Sequence, residues 1–533
     1  MSRLERFVRS SLIALMCVAL LLPSIGGLLP VAADAPATIT FDNPVTSSGG
    51  ITLLPNQGDC QTTLSTMSGQ GVLVLEQYGY FSVTNTEILN ASALTMTITF
   101  YDNDTTPINL QYGSTSGAYQ NRNIDRFNSG EFVTTTVPLT DADFGNRTQN
   151  YGGKFRLSGG VLRSISITTG VTDDTKQAPP TFAAQTDLNN MLNKGIAGYQ
   201  AWFRAGTNDS KWVHWGGNGS SNPQAGALSF EIYPHVDDYL DNGATLYQSG
   251  LGDLGNGDKA MLFNSTDPAI IDTHFNWMQQ YDLDGVAVQR FYGATSAAKT
   301  TARNTLQTIQ EKAEKYNRIF YVMYDFSGCG TRDAASFIRD IQLDFIYNVE
   351  DKGVASSANY AHADNKPVVC MWGISGDPNS NYVYGSTATT LIQWFQSRGY
   401  YVIVGTPDNG YTDRTGTNLT PFTTADMISP WTVGRYSQNG AANWLNYQVT
   451  KDLAFCNQHG LDYQPVVFAG FGWTNMGNNG NINAFPHNAG QFLWTQAHLL
   501  KSMGVSNVYF AMFDEYDEGT AIMKGATDYF EIP

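Results

Sequence analysis

From residue 187 onward the chain repeats one pattern, in which a short apolar run suited to a buried strand is followed by a stretch with helical spacing. Strands of a parallel sheet are buried on both faces, and their alternation with helices is typical of βα units. Eight runs are present, which is the number that closes a (β/α)8 barrel. They are Gly195–Phe203, Gly285–Phe291, Arg318–Phe326, Pro367–Ile374, Tyr400–Pro407, Met427–Val433, Tyr463–Phe471 and Asn507–Glu515.

The stretches between the runs fit the helices of such a barrel, for example Ala298–Tyr316 and Thr389–Arg398. An open doubly wound sheet is the alternative, but no GxGxxG turn follows the first run. We therefore predict an α/β fold with a (β/α)8 TIM barrel over residues 187–533. Only Tyr516–Pro533 follow the eighth run, too few for a closing helix, which would fit a truncated gene product.

Residues 36–171 have a different pattern of short alternating runs separated by Gly, Asn and Asp clusters, such as Ala93–Phe100 and Val161–Ile167. Strands with one apolar face at this spacing predict an antiparallel β-sandwich, for which carbohydrate binding is one interpretation. Residues 172–186, which contain Pro179 and Pro180, read as a linker between the two domains.

Residues 1–35 resemble a secretory signal peptide, with Arg3, Arg6 and Arg9 before the apolar run Leu12–Leu22 and small residues around Ala33. An uncleaved membrane anchor is the alternative, although Pro23 and Pro30 interrupt the apolar stretch. We expect a secreted, extracellular or cell-surface protein with no stable membrane insertion once the signal is removed.

The charge and the cysteine content argue against several other classes of protein. Lys and Arg total 30 against 47 Asp and Glu, and the net charge of −17 disfavours a nucleic acid partner. Removal of the signal leaves four cysteines without CxxC spacing, which leaves room for one disulfide and indicates no metal site. No P-loop, GxSxG or HExxH motif is present, and we expect no cofactor.

Polar and aromatic side chains end each apolar run, and in a barrel these ends form the active-site rim. Catalytic candidates follow the eighth run in FDEYDEGT, where Glu515 and Glu518 can face one pocket as the two carboxyls that glycosidic cleavage needs. A solvated acidic loop or a Ca2+ site is the alternative for these acids. The candidate substrate-binding residues are Tyr199, Trp202, His214, Trp215, Arg290, Asp325, Trp372, Trp431, Arg435, Tyr436, Trp473 and Asp514.

Several candidates also have structural interpretations. His214 and His235 could serve local hydrogen bonds, and Arg290 could pair with Asp325 on the neighbouring strand. The tryptophans could form sugar platforms or cap the layers of the barrel.

Ordered motifs in the barrel resemble those of glycoside hydrolase family 99, the endo-α-mannosidases. FDEYDEGT is similar to the family's FNEWxEGT, GYQAWF from Gly198 to its GYYGWY-like opening, and Trp212–Trp215 to its WxHW element. ISPWTVGRY (Ile428–Tyr436) and PVVFAGFGW (Pro465–Trp473) resemble the bacterial group called family 71/99-like. The resemblance spans about Gly195 to Lys524 and implies a glycosidase whose catalytic glutamates are Glu515 and Glu518.

The resemblance also implies a mechanism, in which Glu515 acts as base toward the sugar 2-hydroxyl and Glu518 as acid and then base, with retention through a 1,2-anhydro sugar. The family's HxEPY motif is replaced here by Met323–Phe326, and its Asn before the first glutamate is Asp514. The reaction class therefore carries over more safely than the α-mannoside specificity. Family 71, an α-1,3-glucanase group, has an Asp-x-x-Glu pair at this strand, so both α-mannan and α-glucan stay open as substrates.

Two further functions compete with hydrolysis. One is a non-catalytic glycan-binding surface protein on a barrel scaffold, which the presence of both glutamates disfavours. The other is an adhesin-like structural protein, for which the convergence of polar strand ends would be accidental. Binding without turnover on α-mannans and α-glucans would separate the first of these from an enzyme.

Overall fold

The computed structural model describes residues 36–104, 106–124, 126, 130–171, 174–207, 212–217, 221–292, 296–330, 333–476 and 484–533. The predicted signal peptide, residues 1–35, lies outside them. Two compact units are present. The first comprises residues up to Phe100, Leu110–Arg122 and Thr134–Val171, and the second comprises Tyr101–Asn109, Asn123–Val133 and the chain from Thr172.

Two antiparallel sheets of seven and five strands contain the strands before Val171. One sheet has the order β10-β7-β12-β1-β2, with β5 also paired to β12 and β4 to β5, and the other has β3-β6-β11-β8-β9. The elements are β1 (Ala37–Thr40), β2 (Thr46–Ser48), β3 (Ile51–Leu53), β4 (Thr62–Met67), β5 (Gln70–Leu75), β6 (Tyr78–Val83), α1 (Thr86–Asn90), β7 (Leu94–Tyr101), β8 (Ile108–Ser114), β9 (Gly117–Ile124), β10 (Phe132–Leu139), β11 (Phe155–Ser158) and β12 (Val161–Thr169).

Alternate side chains of these strands build the core of this unit, as the period of two in the sequence predicts. On β6 and β11 the buried rings of Phe81 and Phe155 stack with centroids 4.8 Å apart. Phe41, which follows β1 of the other sheet, lies with its ring centroid 6.2 Å from that of Phe81. The sandwich arrangement of the two sheets stays a prediction.

The second unit contains a parallel sheet whose order is β24-β23-β22-β19-β17-β16-β13-β26-β25. Its elements, with the short strands around it, are β13 (Gly195–Tyr199), α2 (Asp237–Asp241), β14 (Leu246–Asp253), β15 (Lys259–Phe263), α3 (Pro268–Gln280), β16 (Gly285–Phe291), α4 (Ser296–Tyr316), β17 (Ile319–Asp325), α5 (Ala334–Phe345), β18 (His362–Ala363), β19 (Lys366–Trp372), β20 (Ile374–Ser375), β21 (Val383–Tyr384), α6 (Gly385–Ser397), β22 (Tyr401–Thr406), α7 (Thr420–Thr424), β23 (Met427–Pro430), α8 (Gln438–His459), β24 (Asp462–Tyr463), β25 (Val466–Phe468), α9 (Gln491–Ser502) and β26 (Val508–Ala511).

The two ends of this path, β24 and β25, are consecutive in the chain and together form the predicted seventh run. β24 pairs with β23 and β25 pairs with β26, so the sheet curls around and meets itself at this run. Pro465 lies at the break and has no N–H to donate to a neighbouring strand. The nine-stranded parallel sheet therefore fits a TIM-like barrel, with one of the eight predicted strands divided in two.

Local sequence signals set the ends of the barrel helices. α3 begins with Pro268 at its first turn, and the side chain of Asp267 caps it by accepting the backbone N–H of Ala269. α8 ends at Gly460, whose φ of 69° lies in the left-handed region that favours glycine. β17 is buried at all seven positions, as expected for a strand covered on both faces.

After β26 the described chain forms no α-helix and packs against the loop between β13 and α3. The backbone N–H of Ala526 donates to the carbonyl of Tyr233 at 2.8 Å, and that of Gly255 donates to Ile532 at 3.0 Å. Lys524 Nζ lies 2.6 Å from Asp238 Oδ2. Among the described helices, none combines the length and apolar character needed to cross a membrane.

Candidate active site

The segment after β26 folds back on itself at the carboxyl end of the barrel. The backbone N–H groups of Thr520 and Ala521 donate to the carbonyl of Glu515 at 3.2 and 3.0 Å. Gly519 makes the turn with a φ of 70°, a conformation that side chains disfavour. The turn fixes Glu515 and Glu518 at one place on the rim, as their position after the eighth run predicts.

Glu515 is enclosed by protein, with 2% of its surface exposed. Burial raises the pKa of its carboxyl well above the ordinary value, and the neighbouring Glu518 and Asp517 raise it further. The side chain of Gln200 favours the ionised form and opposes this shift. Glu515 therefore lies in a site where a negative charge is costly.

Glu518 is half-buried, and its backbone carbonyl accepts the N–H of Gly472 at 2.9 Å. Burial raises the pKa of its carboxyl, followed by the charges of Asp517 and Asp325. The charge of Glu518 is among the causes that raise the pKa of Glu515, so ionising one of the two carboxyls makes it harder to ionise the other. Both carboxyls therefore resist ionisation more than an exposed glutamate does.

Asp514 is buried, and both of its carboxylate oxygens are already used. They accept the backbone N–H groups of Gln200 at 2.8 Å and Ala201 at 2.7 Å. Burial raises the pKa of Asp514 to about 6, while these two bonds lower it. Asp514 therefore joins the segment after β26 to the loop after β13.

The loop after β13 contributes Trp202 and His214 to the same rim. Asp517 Oδ2 lies 2.7 Å from His214 Nδ1. The imidazole ring stacks on the indole of Trp202 at 4.0 Å between centroids and an interplanar angle of 14°. Asp517 therefore joins the acidic turn to an aromatic stack, and His214 has the local hydrogen bond that its structural interpretation predicts.

Several buried polar atoms near the strand ends have no hydrogen-bond partner within the described part of the chain. An unsatisfied buried polar atom costs stability, so such atoms mark places where a bound polar ligand could satisfy them. They include acceptors and indole donors, as the hydroxyl groups of a sugar would require. They are Gln200 Oε1, Trp202 Nε1, Gln289 Oε1, Trp372 Nε1 and Asp517 Oδ1.

Asp325 ends β17 and is buried, with Oδ1 accepting the backbone N–H of Ser327 at 2.8 Å. Burial raises its pKa, and its charge in turn raises the pKa of Glu518. Trp372 ends β19 and Trp431 directly follows β23, and their rings meet edge to face at 5.5 Å between centroids. Trp473 is 39% exposed and contacts Phe471 at 4.7 Å between ring centroids.

Four of the predicted substrate-binding residues have hydrogen-bond partners inside the protein. The hydroxyl of Tyr199 lies 2.8 Å from His274 Nδ1, and that of Tyr436 donates to Gln496 Oε1 at 2.9 Å. Trp215 is fully buried, and its Nε1 donates to the carbonyl of Phe263 at 3.1 Å. The fourth is Arg290.

Arg290 is buried and binds a carboxylate on the helix that follows the neighbouring strand. Its Nη2 donates to Asp344 Oδ1 at 2.8 Å and its Nε donates to Asp344 Oδ2 at 3.2 Å. The hydroxyl of Tyr324 donates to the same carboxylate at 2.6 Å. The carboxylate that pairs with Arg290 is therefore Asp344, which α5 brings over the end of β16, and not the alternative partner Asp325.

Arg435 is exposed and is held by a bond from its Nη2 to the carbonyl of Pro407 at 2.6 Å. Its place near Tyr382 leaves a cation at the rim, on the side of Trp372 and Trp431.

Two side chains near the turn that carries Glu515 and Glu518 were not predicted from the sequence. A β-carbon on Gly472 would lie 2.7 Å from Glu231 Oε1, so glycine is what lets this carboxylate approach the turn. His487 Nε2 lies 2.8 Å from the carbonyl of Gly519. Neither Glu231 nor His487 ends an apolar run. The strand-end rule, by which functional side chains are expected where the apolar runs end, therefore did not identify them.

Among the described residues no group of three or more His, Cys, Asp or Glu side chains is arranged to hold a metal ion. Cys60, Cys329, Cys370 and Cys456 are buried, and none of the four forms a disulfide with another described cysteine.

Comparison with known proteins gave matches only among solved structures. No family model matches the chain, and no curated protein matches it. Two structures of the family 99 endo-alpha-mannosidase from Bacteroides thetaiotaomicron are 16% identical over 64% of this chain, covering 92% and 90% of their own chains with TM-scores of 0.44 and 0.43. The family 2 beta-galacturonidase from Eisenbergiella tayi is 8% identical over 90% of both chains, with a TM-score of 0.35. These similar structures are all of glycoside hydrolases.

Proposed function

We propose that the chain is a secreted glycoside hydrolase that cleaves an α-linked polysaccharide or glycan of the α-mannan or α-glucan type. One observation carries the proposal: Glu515 and Glu518 lie in one water-poor site at the carboxyl end of the barrel, where each raises the cost of ionising the other. An acid and a base side by side are what glycosidic cleavage needs. The α-linked class comes from the motif resemblance alone.

In the first step, the Glu515 carboxylate takes the proton from the sugar 2-hydroxyl while that oxygen bonds to the anomeric carbon. Glu518 donates its proton to the glycosidic oxygen, which leaves as an alcohol. The product of this step is a 1,2-anhydro sugar. The donor side chain of Gln200 supports the role of Glu515, because it favours the ionised carboxylate in a buried place.

In the second step, Glu518 removes a proton from water, which attacks the anomeric carbon and opens the anhydro ring. The 2-oxygen recovers its proton from Glu515, so both carboxyls return to their starting states. The two displacements retain the anomeric configuration. The unpartnered atoms Trp202 Nε1, Trp372 Nε1 and Gln289 Oε1 are the groups we assign to the sugar hydroxyls.

A 2-deoxy-2-fluoro glycoside with a good leaving group tests the role of Glu515. Fluorine removes the hydroxyl on which a base would act, whereas a nucleophilic carboxylate would still attack the anomeric carbon and form an ester. We expect intact-mass spectrometry to show no adduct on the protein. A covalent sugar on the peptide that contains Glu515 would contradict the anhydro route and restore the two-carboxylate scheme with a glycosyl-enzyme.

A further inference from the structure

The outer face of the sheet β3-β6-β11-β8-β9 carries a cluster of tyrosines around one arginine. Residues alternate between the two faces of a strand, so Phe81 and Phe155 enter the core while Tyr80 and Arg156, which pair across β6 and β11, point the other way. We call the cluster the tyrosine patch, comprising Asp59, Tyr78, Gln111, Tyr119, Tyr151 and Arg156. All six residues belong to the first unit.

Arg156 lies at the centre of the tyrosine patch, with its guanidinium carbon 3.7 Å from the ring centroid of Tyr78 and 4.7 Å from that of Tyr119. Its Nε donates to Gln111 Oε1 at 2.7 Å, and its Nη1 lies 3.3 Å from Asp59 Oδ2. Within the described residues no hydrogen bond from Nη2 is found. The arginine is therefore fixed in place with one donor group unused.

Two of the rings are presented to solvent in a fixed position. Tyr119 is 39% exposed and Tyr151 is 38% exposed. Tyr151 has a φ of 60°, a left-handed conformation that a bulky residue rarely adopts, and its hydroxyl donates to Asp59 Oδ1 at 2.9 Å. A β-carbon on Gly58 would lie 2.1 Å from that hydroxyl, so glycine is required for this approach. Strain held by such contacts is typical of ligand sites.

The geometry points to a polysaccharide chain as the occupant of the tyrosine patch. A sugar ring has an apolar face that packs on an exposed aromatic ring and hydroxyl groups at its edge that bind a guanidinium or a carboxylate. Asp59 offsets the charge of Arg156, so the patch suits a neutral ligand. A phosphate backbone would meet the carboxylate of Asp59 and a chain of net charge −17. This binding would not depend on catalysis by the barrel.

The test is binding of the full-length Glu518→Gln chain to insoluble α-mannan, α-1,3-glucan and cellulose, measured as depletion isotherms. The three polysaccharides act as separate probes. Without the ring, Tyr119→Ala should bind at least one of them roughly fivefold to tenfold more weakly. Tyr119→Phe, which keeps the ring and loses only the hydroxyl that accepts the N–H of Asn150, should retain most of the affinity. Tyr447→Ala, at a 71% exposed tyrosine on α8, is the matched control and should bind normally.

Unchanged binding of Tyr119→Ala to all three polysaccharides would overturn the inference, as would absence of binding by the parent chain. Hydrolysis of a soluble aryl glycoside, measured with Glu518 restored, separates this result from the proposed function. Tyr119→Ala should leave that rate unchanged. A chain that binds through Tyr119 but hydrolyses nothing would contradict the proposed function alone.

Discussion

Glu515 and Glu518 lie three residues apart, yet their surroundings differ. Glu515 is enclosed, and burial, Glu518, Asp517 and Asp514 raise the pKa of its carboxyl while the side chain of Gln200 lowers it. Glu518 is half-buried, and burial, Asp517 and Asp325 raise the pKa of its carboxyl. Both carboxyls therefore resist ionisation, and the motif resemblance is what assigns Glu515 as the base and Glu518 as the acid.

Burial of the Glu518 carboxyl also predicts that the free energy of unfolding depends on pH. Glu518 has a folded-state pKa above its unfolded value, so its ionisation begins to destabilise the fold as pH rises past the unfolded value, and the full cost is reached above the folded one. We expect Glu518→Gln to match the parent chain near pH 4 and to exceed it by on the order of 1–3 kcal/mol near pH 9. Thermal unfolding followed by circular dichroism across this range measures the difference.

Glu311→Gln, the same change at an exposed position on α4, should produce no comparable trend with pH. If Glu518→Gln and the parent chain lose stability in parallel as pH rises, the carboxyl of Glu518 is not the group that titrates. In that case its assignment as the buried acid would have to be withdrawn.

At the scale of single residues, the sequence predicted where the acidic side chains cluster but not which groups each of them binds. FDEYDEGT and the strand-end rule placed Glu515, Glu518, Asp325 and Trp202 on one rim, because parallel strands end at one edge. The rule could not predict that Asp514 binds backbone N–H groups of another strand, since that contact joins residues more than 300 positions apart. The roles of the individual residues in catalysis stay predictions.

Among the elements, strand positions followed directly from the apolar runs, while contacts between elements did not. The run Tyr463–Phe471 reads as one strand, but the chain divides it at Pro465, which a count of apolar residues does not detect. Arg290 on β16 binds Asp344 near the end of α5, a partner that no spacing along the sequence indicates. The packing of the helices around the sheet determines which side chains form such pairs.

One prediction at the scale of elements concerns the ion pair between Arg290 and Asp344. Asp344→Ala would leave the buried guanidinium of Arg290 without its bidentate partner, and such a loss costs about 3–5 kcal/mol. Chemical denaturation with urea should show this decrease. Asp241→Ala, the same change at an exposed position at the end of α2, should change stability by no more than about 0.5 kcal/mol. Equal effects of the two changes would show that the Arg290 contact is not important for stability.

For the molecule as a whole, the segment predicted as a linker behaves as part of the barrel unit from Thr175 onward. Trp394 Nε1 donates to the carbonyl of Thr175 at 3.0 Å, and the ring of Phe182 meets that of Tyr400 at 5.0 Å. Ser356 Oγ donates to the carbonyl of Thr181 at 3.1 Å. Composition alone suggested a linker, because Pro179 and Pro180 break regular structure without showing what the extended chain packs against.

Two truncated chains test this attachment. A chain that starts at Asp174 keeps the contacts of the segment, whereas one that starts at Asp187 loses them. Since each lost hydrogen bond costs about 0.5–1.5 kcal/mol, the shorter chain should be less stable by a few kcal/mol in all. Differential scanning calorimetry of the two chains gives the comparison. Equal unfolding temperatures would mean that residues 174–186 are a linker after all.

The most direct test of the proposed function is release of reducing sugar from α-mannan and α-glucan polysaccharides by the chain without residues 1–35. Products are to be resolved by chromatography. We expect at least one polysaccharide to be cleaved, and folded Glu518→Gln to be slower by a factor of about 10² to 10⁴, with a smaller loss on an aryl glycoside whose leaving group needs little protonation. No release from any of these polysaccharides, or release by Glu518→Gln at the parent rate, would contradict it.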